Sequence, residues 1–337
     1  MNLIPESNGL KKINMKKEFS KSLWIRNVFM AVLGIFILGF LFQTVTDFIG
    51  NEKISSRLNY AKIESKKMEY KTGGSGDYTI VFDGAIGANL YEWDKVCEKI
   101  QSQLGVKTFV YNRRGYGFNE SLDGETPNKQ AQNLKILLRK AGVSGKLIFV
   151  GEEYGSLVAT NFAKLYPESV QGLVLIKPFL EDTLKSDEFK NELKWKYYKS
   201  KFESIGTRFG LTRILDKLNM TIKVDGFEEN LSDGADEEFK VHKNQKSYRD
   251  AISNELKNLF TYSDDSQQTG LIAGKPLYII SNDDNNLLSR LGTADYTTQY
   301  KTESDNSVIS LTDSTSVENA ITYVVKEARR IEKKSNK

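Results

Sequence analysis

Residues 147–166 constrain this chain more than any other stretch. The apolar run Leu147-Ile148-Phe149-Val150 reads as a buried strand, and residues 156–166 follow with helical spacing. Between them stand Gly151-Glu152-Glu153-Tyr154-Gly155. Glycines at both ends of this turn let the backbone pass sharply from strand to helix, so the middle side chain, Glu153, projects at the helix N-terminus. A strand that feeds straight into a helix belongs to an α/β architecture with a parallel sheet.

The rest of the chain repeats that alternation. Strands are expected at 63–70, 79–82, 108–111, 147–150, 173–176, 277–280 and 308–311, with a turn at Gly73-Gly74-Ser75-Gly76. Helices are expected at 90–104, 129–141, 156–166 and 317–330. The alternation stops after Pro178 and resumes at Leu277. The intervening 180–265 stretch is charged, mostly helical and aromatic-rich around Trp195, Tyr197, Tyr198 and Phe202. It reads as a lid inserted into the sheet domain.

Near the start, every residue from 28 to 42 is apolar or Gly. About 20 such residues cross a bilayer core, and residues 23–45 supply them if Arg26 snorkels. The expected organisation is a basic tail at 1–22, an anchor at 23–48, a tether at 49–59, the α/β domain at 60–331 and a basic end at 332–337. No small-residue cleavage site follows Phe42, which argues for an uncleaved anchor. Lys11, Lys12, Lys16, Lys17, Lys21 and Arg26 precede it, against Lys53, Arg57 and Lys62 after it. That bias places the N-terminus in the cytoplasm and the main domain across the membrane, and the absence of disulfides fits a bacterial cell surface at least as well as a eukaryotic lumen.

Net charge is +4, and outside residues 1–50 the count is nearly even, so nucleic acid is not an expected partner. The single cysteine, Cys97, excludes an intrachain disulfide, and the single histidine, His242, excludes a multi-histidine zinc site. No cofactor is expected.

Five segments, in order, resemble the α/β-hydrolase superfamily, in particular its membrane-anchored bacterial members. The first is Thr79-Ile80-Val81-Phe82-Asp83-Gly84, similar to the strand and turn that open the oxyanion region. The second is Phe109 through Gly117, similar to a strand ending in Asp-x-x-Gly-x-Gly. The third is Phe149 through Gly155, in the place of the G-x-S-x-G nucleophile elbow. The fourth runs from Tyr166-Pro167 through Leu175, and the fifth is Phe209-Gly210-Leu211-Thr212-Arg213, similar to a lid segment. The resemblance covers about residues 60–330 and implies an α/β-hydrolase fold: a mostly parallel sheet with helices on both faces and a helical lid.

The catalytic residues do not carry over. The family's histidine before Gly84 is Asp83, its nucleophile is Glu153, and the residue before that is Glu152. The acid after 277–280 maps to Asp283 or Asp284. The base should follow 308–311, where the sequence reads Ser310-Leu311-Thr312-Asp313-Ser314-Thr315. A serine or carboxylate nucleophile needs an imidazole to complete turnover, and loss of a triad member costs about 10⁴-fold or more. Ser156 is expected to bond backbone amides in the first helical turn, and His242 to face solvent among its charged neighbours.

The resemblance brings Asp83, Gly84, Glu153, Tyr154, Asp283 or Asp284, and Lys177 to one crevice. A cation from Lys177 or Arg114 would then pair with Glu153 and form an ionic lock or a polar ligand site. A bound Ca²⁺ or Mg²⁺ is the alternative. The functional expectation is a member without ordinary serine-hydrolase activity that binds a small ligand or protein partner. The alternative is a hydrolase that uses Glu153 and Asp284, with or without His242.

Overall fold

The computed structural model describes residues 21–54, 58–282, 287–306 and 308–335. Eight strands form one sheet in the order β1-β2-β4-β3-β5-β6-β7-β8. They are β1 (Asn59–Ile63), β2 (Lys66–Gly74), β3 (Tyr78–Asp83), β4 (Lys107–Tyr111), β5 (Lys146–Glu152), β6 (Val170–Ile176), β7 (Leu277–Ser281) and β8 (Thr297–Lys301). The pairs from β4 through β8 are parallel, while β1 and β2 form an antiparallel edge.

Helices cover both faces, as period-2 strands with two apolar faces require. In β5, Leu147 and Phe149 point to one core with α3 (Pro127–Lys140) and α4 (Tyr154–Leu165). Ile148 and Val150 point to the other, with α2 (Asp94–Leu104) and α11 (Ser314–Ser335). Thr126 caps α3 by accepting from the Lys129 amide, and Pro127 occupies the first turn, where no amide donor is needed.

Two sequence expectations change here. The 63–70 strand is really the two arms of a hairpin, because Glu64 and Ser65 both take positive φ (50° and 66°). That two-residue turn usually shows itself by Asn or Gly, and this one carries neither. The 308–311 stretch is not a strand. Val308 is followed by the short helix α10 (Ile309–Thr312), and its apolar residues are buried beneath the sheet. The last strand is instead β8, Thr-Thr-Gln-Tyr-Lys, a half-exposed edge whose polar sequence gives no hydropathy signal.

Between β6 and β7 lie α5 (Glu181–Leu184), α6 (Asp187–Thr207), α7 (Leu211–Lys217), α8 (Asp233–His242) and α9 (Lys246–Phe260). The N-terminal helix α1 runs from Lys21 to Lys53, so it continues past the expected span into the tether. It is long and apolar enough to cross a membrane, and its apolar side chains are exposed.

Candidate functional site

The β5–α4 turn has the backbone of a nucleophile elbow. Glu153 sits at φ 47° and ψ −109°, a region that side chains seldom occupy, and its amide donates to Ile176 O at 2.9 Å. The flanking glycines are needed for close approach. A Cβ on Gly155 would fall 2.1 Å from Asp83 O, and one on Gly151 would fall 2.6 Å from Gly155 O. Ser156 donates its hydroxyl to Glu153 O rather than bonding an amide, and is buried, so it is no displaced nucleophile.

Glu153 lines a cavity of about 280 Å³ whose other walls are mostly apolar, among them Ile86, Phe179, Phe189, Leu193, Ile252 and Leu256. Glu192, Lys196 and Lys223 supply its remaining charges. Burial pushes the Glu153 carboxyl up to about 7, with a further push from Glu152, and Lys196 and Lys177 only partly offset this. The Ile86 backbone amide also favours the charged form.

The expected lock does not form. Lys177 donates to the carbonyls of Ser304, Asp305 and Asn306 at 3.4, 3.2 and 3.0 Å, so it ties down the loop after β8. Arg114 points elsewhere, donating to Ile63 O at 2.7 Å and Lys67 O at 3.2 Å. Its neighbour Arg113 is the residue behind the elbow. It pairs with Asp83 and with Glu255 (2.7 Å), and it donates to Gly84 O and Ala85 O at 2.7 and 2.9 Å. Tyr111 and Tyr116 donate to Asp83 and Glu255 at 2.5 and 2.6 Å, and the Arg113 guanidinium lies 5.2 Å from both the Tyr116 and Tyr154 rings. The Tyr154 hydroxyl accepts from Asn258 at 2.9 Å, so it faces α9.

Glu152 turns away from the cavity. Its carboxylate accepts from the amides of Ile309 (2.5 Å) and Ser310 (3.3 Å). Beside it lies Glu92, also fully buried, which accepts from the Ser310 hydroxyl at 3.1 Å. Burial and then the charge of Glu152 hold the Glu92 carboxyl well above the usual range. Burial raises the Glu152 carboxyl too, but its amide donors offset part of that, so Glu92 is the member of the pair driven more strongly toward its protonated form.

His242 is buried rather than solvent-facing. Its ring meets Phe118 edge-on at 4.3 Å, its Nδ1 lies 3.1 Å from Gln245 Oε1, and burial lowers its pKa. It lines a different cavity, of about 550 Å³, together with Glu69, Asn51 and Tyr60, and that cavity has no lining residue in common with the one at Glu153. Asp283 and Asp284 lie outside the described residues. Among the described residues, no group of three His, Cys, Asp or Glu is placed to hold a metal ion.

Comparison with known proteins settles the family. The model of the alpha/beta hydrolase fold matches residues 78–309. The chain belongs to this family. A relative from Bacillus subtilis (strain 168), the uncharacterized protein YqjL, is 30% identical over 115 residues, which is 34% of this chain and 44% of that protein. The chain thus matches less than half the length of that relative. Among solved structures, the epoxide hydrolase CorEH superimposes with a TM-score of 0.61 at 14% identity, covering 80% of this chain and 98% of that one. A thermophilic esterase from Thermogutta terrifontis gives a TM-score of 0.57 at 14% identity, covering 80% of this chain and 97% of that one. At such identity these likenesses show the fold alone. Glu153 stands at the tip of the β5–α4 turn with the Ile86 amide favouring its charge, and Arg113 joins Asp83 to Glu255. Arg113, Glu255 and Glu92 are the residues that sequence reasoning missed. An Arg-Arg pair at 113–114 gives no sign of which member turns inward.

Proposed function

We propose that this protein is a membrane-anchored family member that binds a small, mostly apolar ligand carrying one polar group, and does not hydrolyse it. The observation that carries this reading is the Glu153 carboxyl, poised near neutrality in a mostly apolar cavity, with the chain's one imidazole lining another cavity. A carboxylate in that position can orient an amine or accept a hydrogen bond. It could also attack an alkylating substrate, but the ester would then accumulate for want of a base. Residues 180–265 act as the lid over this cavity. The lysines ahead of residue 28 hold the N-terminus in the cytoplasm and the α/β domain outside.

The test uses full-length protein in detergent micelles, with aliphatic primary amines as probes. Amine affinity should rise about tenfold from pH 6 to pH 8, following the ionised fraction of Glu153, and Glu153→Gln should remove that rise. Fluorophosphonate labelling and sustained turnover of generic esters should both be absent. Repeated ester turnover abolished by Glu153→Gln would establish a hydrolase instead.

A further inference from the structure

The α6–α7 hairpin leaves an apolar surface uncovered beside the N-terminal helix. Along α6, Trp195, Tyr198, Phe202 and Ile205 recur at helical spacing and are 77%, 51%, 55% and 59% exposed. In and after α7, Ile214, Leu218 and Met220 are 56%, 61% and 55% exposed. Soluble domains rarely show a contiguous stripe of this kind, and such surfaces usually mark an interaction site.

The contacts with α1 say what covers it. The turn between α6 and α7 touches α1 inside its apolar run: Phe209 meets Phe36 edge-on at 4.8 Å, and a Cβ on Gly39 would fall 2.2 Å from Phe209 O. From there α7 follows α1 toward its C-terminus, where Arg213 pairs with Asp47 at 3.0 Å. At 1.5 Å per residue, Phe36 lies about 13 Å along the helix from Val45, the last residue of the apolar run. If α1 spans a bilayer, the tip of the hairpin is within the acyl layer. The chemistry of the stripe agrees with that depth. Phe202 and Ile205 lie within two turns of the tip, while Trp195 and Tyr198, residue types favoured at the headgroup level, lie farther back. Exposed Lys194 and Lys217, away from the tip, suit the headgroup level, and the long stems of Lys201 and Arg208 let their charges snorkel toward it.

We propose that the α6–α7 hairpin is a lipid-embedded element, with its apolar stripe inserted in the leaflet from which the C-terminal end of α1 emerges. This rests on the membrane-anchored reading above, and commits to a bilayer rather than a protein as the occupant. Because Leu193 and Lys196 of α6 also line the Glu153 cavity, the hairpin would set that cavity at the membrane surface.

The experiment uses the full chain in phosphatidylcholine–phosphatidylglycerol nanodiscs, in a Cys97→Ala background. Single cysteines at Ile205, Phe202, Phe29 and Tyr300 carry an environment-sensitive fluorophore, and the lipids carry spin labels on their acyl chains. Phe29, on the exposed face of α1, reports the anchor, and Tyr300, on the edge strand β8, reports the remote surface. Fluorophores at Phe202 and Ile205 should be quenched at least about threefold more than at Tyr300, approaching Phe29. Quenching at Phe29 with none beyond the Tyr300 level at 202 and 205 would overturn the hairpin proposal and leave the anchor standing. Protection of 202 and 205 in a particle holding two copies would assign the stripe to a dimer and also overturn it. Absence of quenching at Phe29 as well would refute the anchor, and the hairpin proposal with it.

Discussion

Behind the elbow and in front of it, this protein places the same chemical group in opposite circumstances. Behind, Asp83 and Glu255 share Arg113, while Glu152 takes two backbone amides beside Glu92, whose carboxyl burial holds well above its usual range. In front, one residue along from Glu152, the Glu153 carboxyl meets an apolar cavity with only distant lysines and one amide to favour its charge. In the first set Asp83, Glu152 and Glu255 all have donors, whereas the second is left available. A carboxylate's role here follows from its donors, since Glu152 and Glu153 are both raised by burial and differ in the groups that meet them.

Four substitutions break or sharpen that contrast. Arg113→Met should have the largest effect, because it strands Asp83 and Glu255 as unpaired buried charges. A loss of about 3–5 kcal/mol is expected in denaturant unfolding, and Arg114→Met should cost far less. Gly155→Ala attacks the turn that separates the two sides. Its Cβ would meet Asp83 O, and roughly 1–3 kcal/mol should be lost.

Glu92→Gln should act in the other direction. The folded-state pKa of Glu92 is raised, so its contribution is intact below the unfolded value near 4.5 and declines as pH rises toward the folded one. Glutamine mimics the protonated acid and removes that decline. Unfolding free energies of variant and wild type should nearly coincide near pH 5 and diverge at pH 8, by about 1–2 kcal/mol in favour of the variant. A gap that does not grow with pH would mean that Glu92 is not driven toward its protonated form. Glu153→Gln should show the same sign over a window from about 4.5 to about 7, and a smaller gain of about 1 kcal/mol, because the cavity leaves the carboxyl in partial contact with solvent.

Much of the frame was legible in the chain because it depends on local pattern. The strand, glycine-flanked turn and helix at 147–166 appear as β5, the elbow and α4, and the apolar run at 28–42 lies within one long helix. Hydropathy failed where burial and structure part company: β8 is polar because it is an edge, and 308–311 is apolar because it is buried without being a strand. The site was less legible. Glu153 could be placed from the turn, whereas Arg113, Glu92 and Glu255 come from separate segments that only the folded chain brings behind the elbow.

By itself, the sequence determined the α/β alternation, the carboxyl at the elbow tip and the shortage of imidazole, since these follow from residue identity and periodicity along the chain. Only the tertiary structure decided which arginine turns inward, that His242 belongs to a different cavity, and that the α6–α7 hairpin lies along α1. Those outcomes depend on distances between residues far apart in sequence, and no local pattern encodes them.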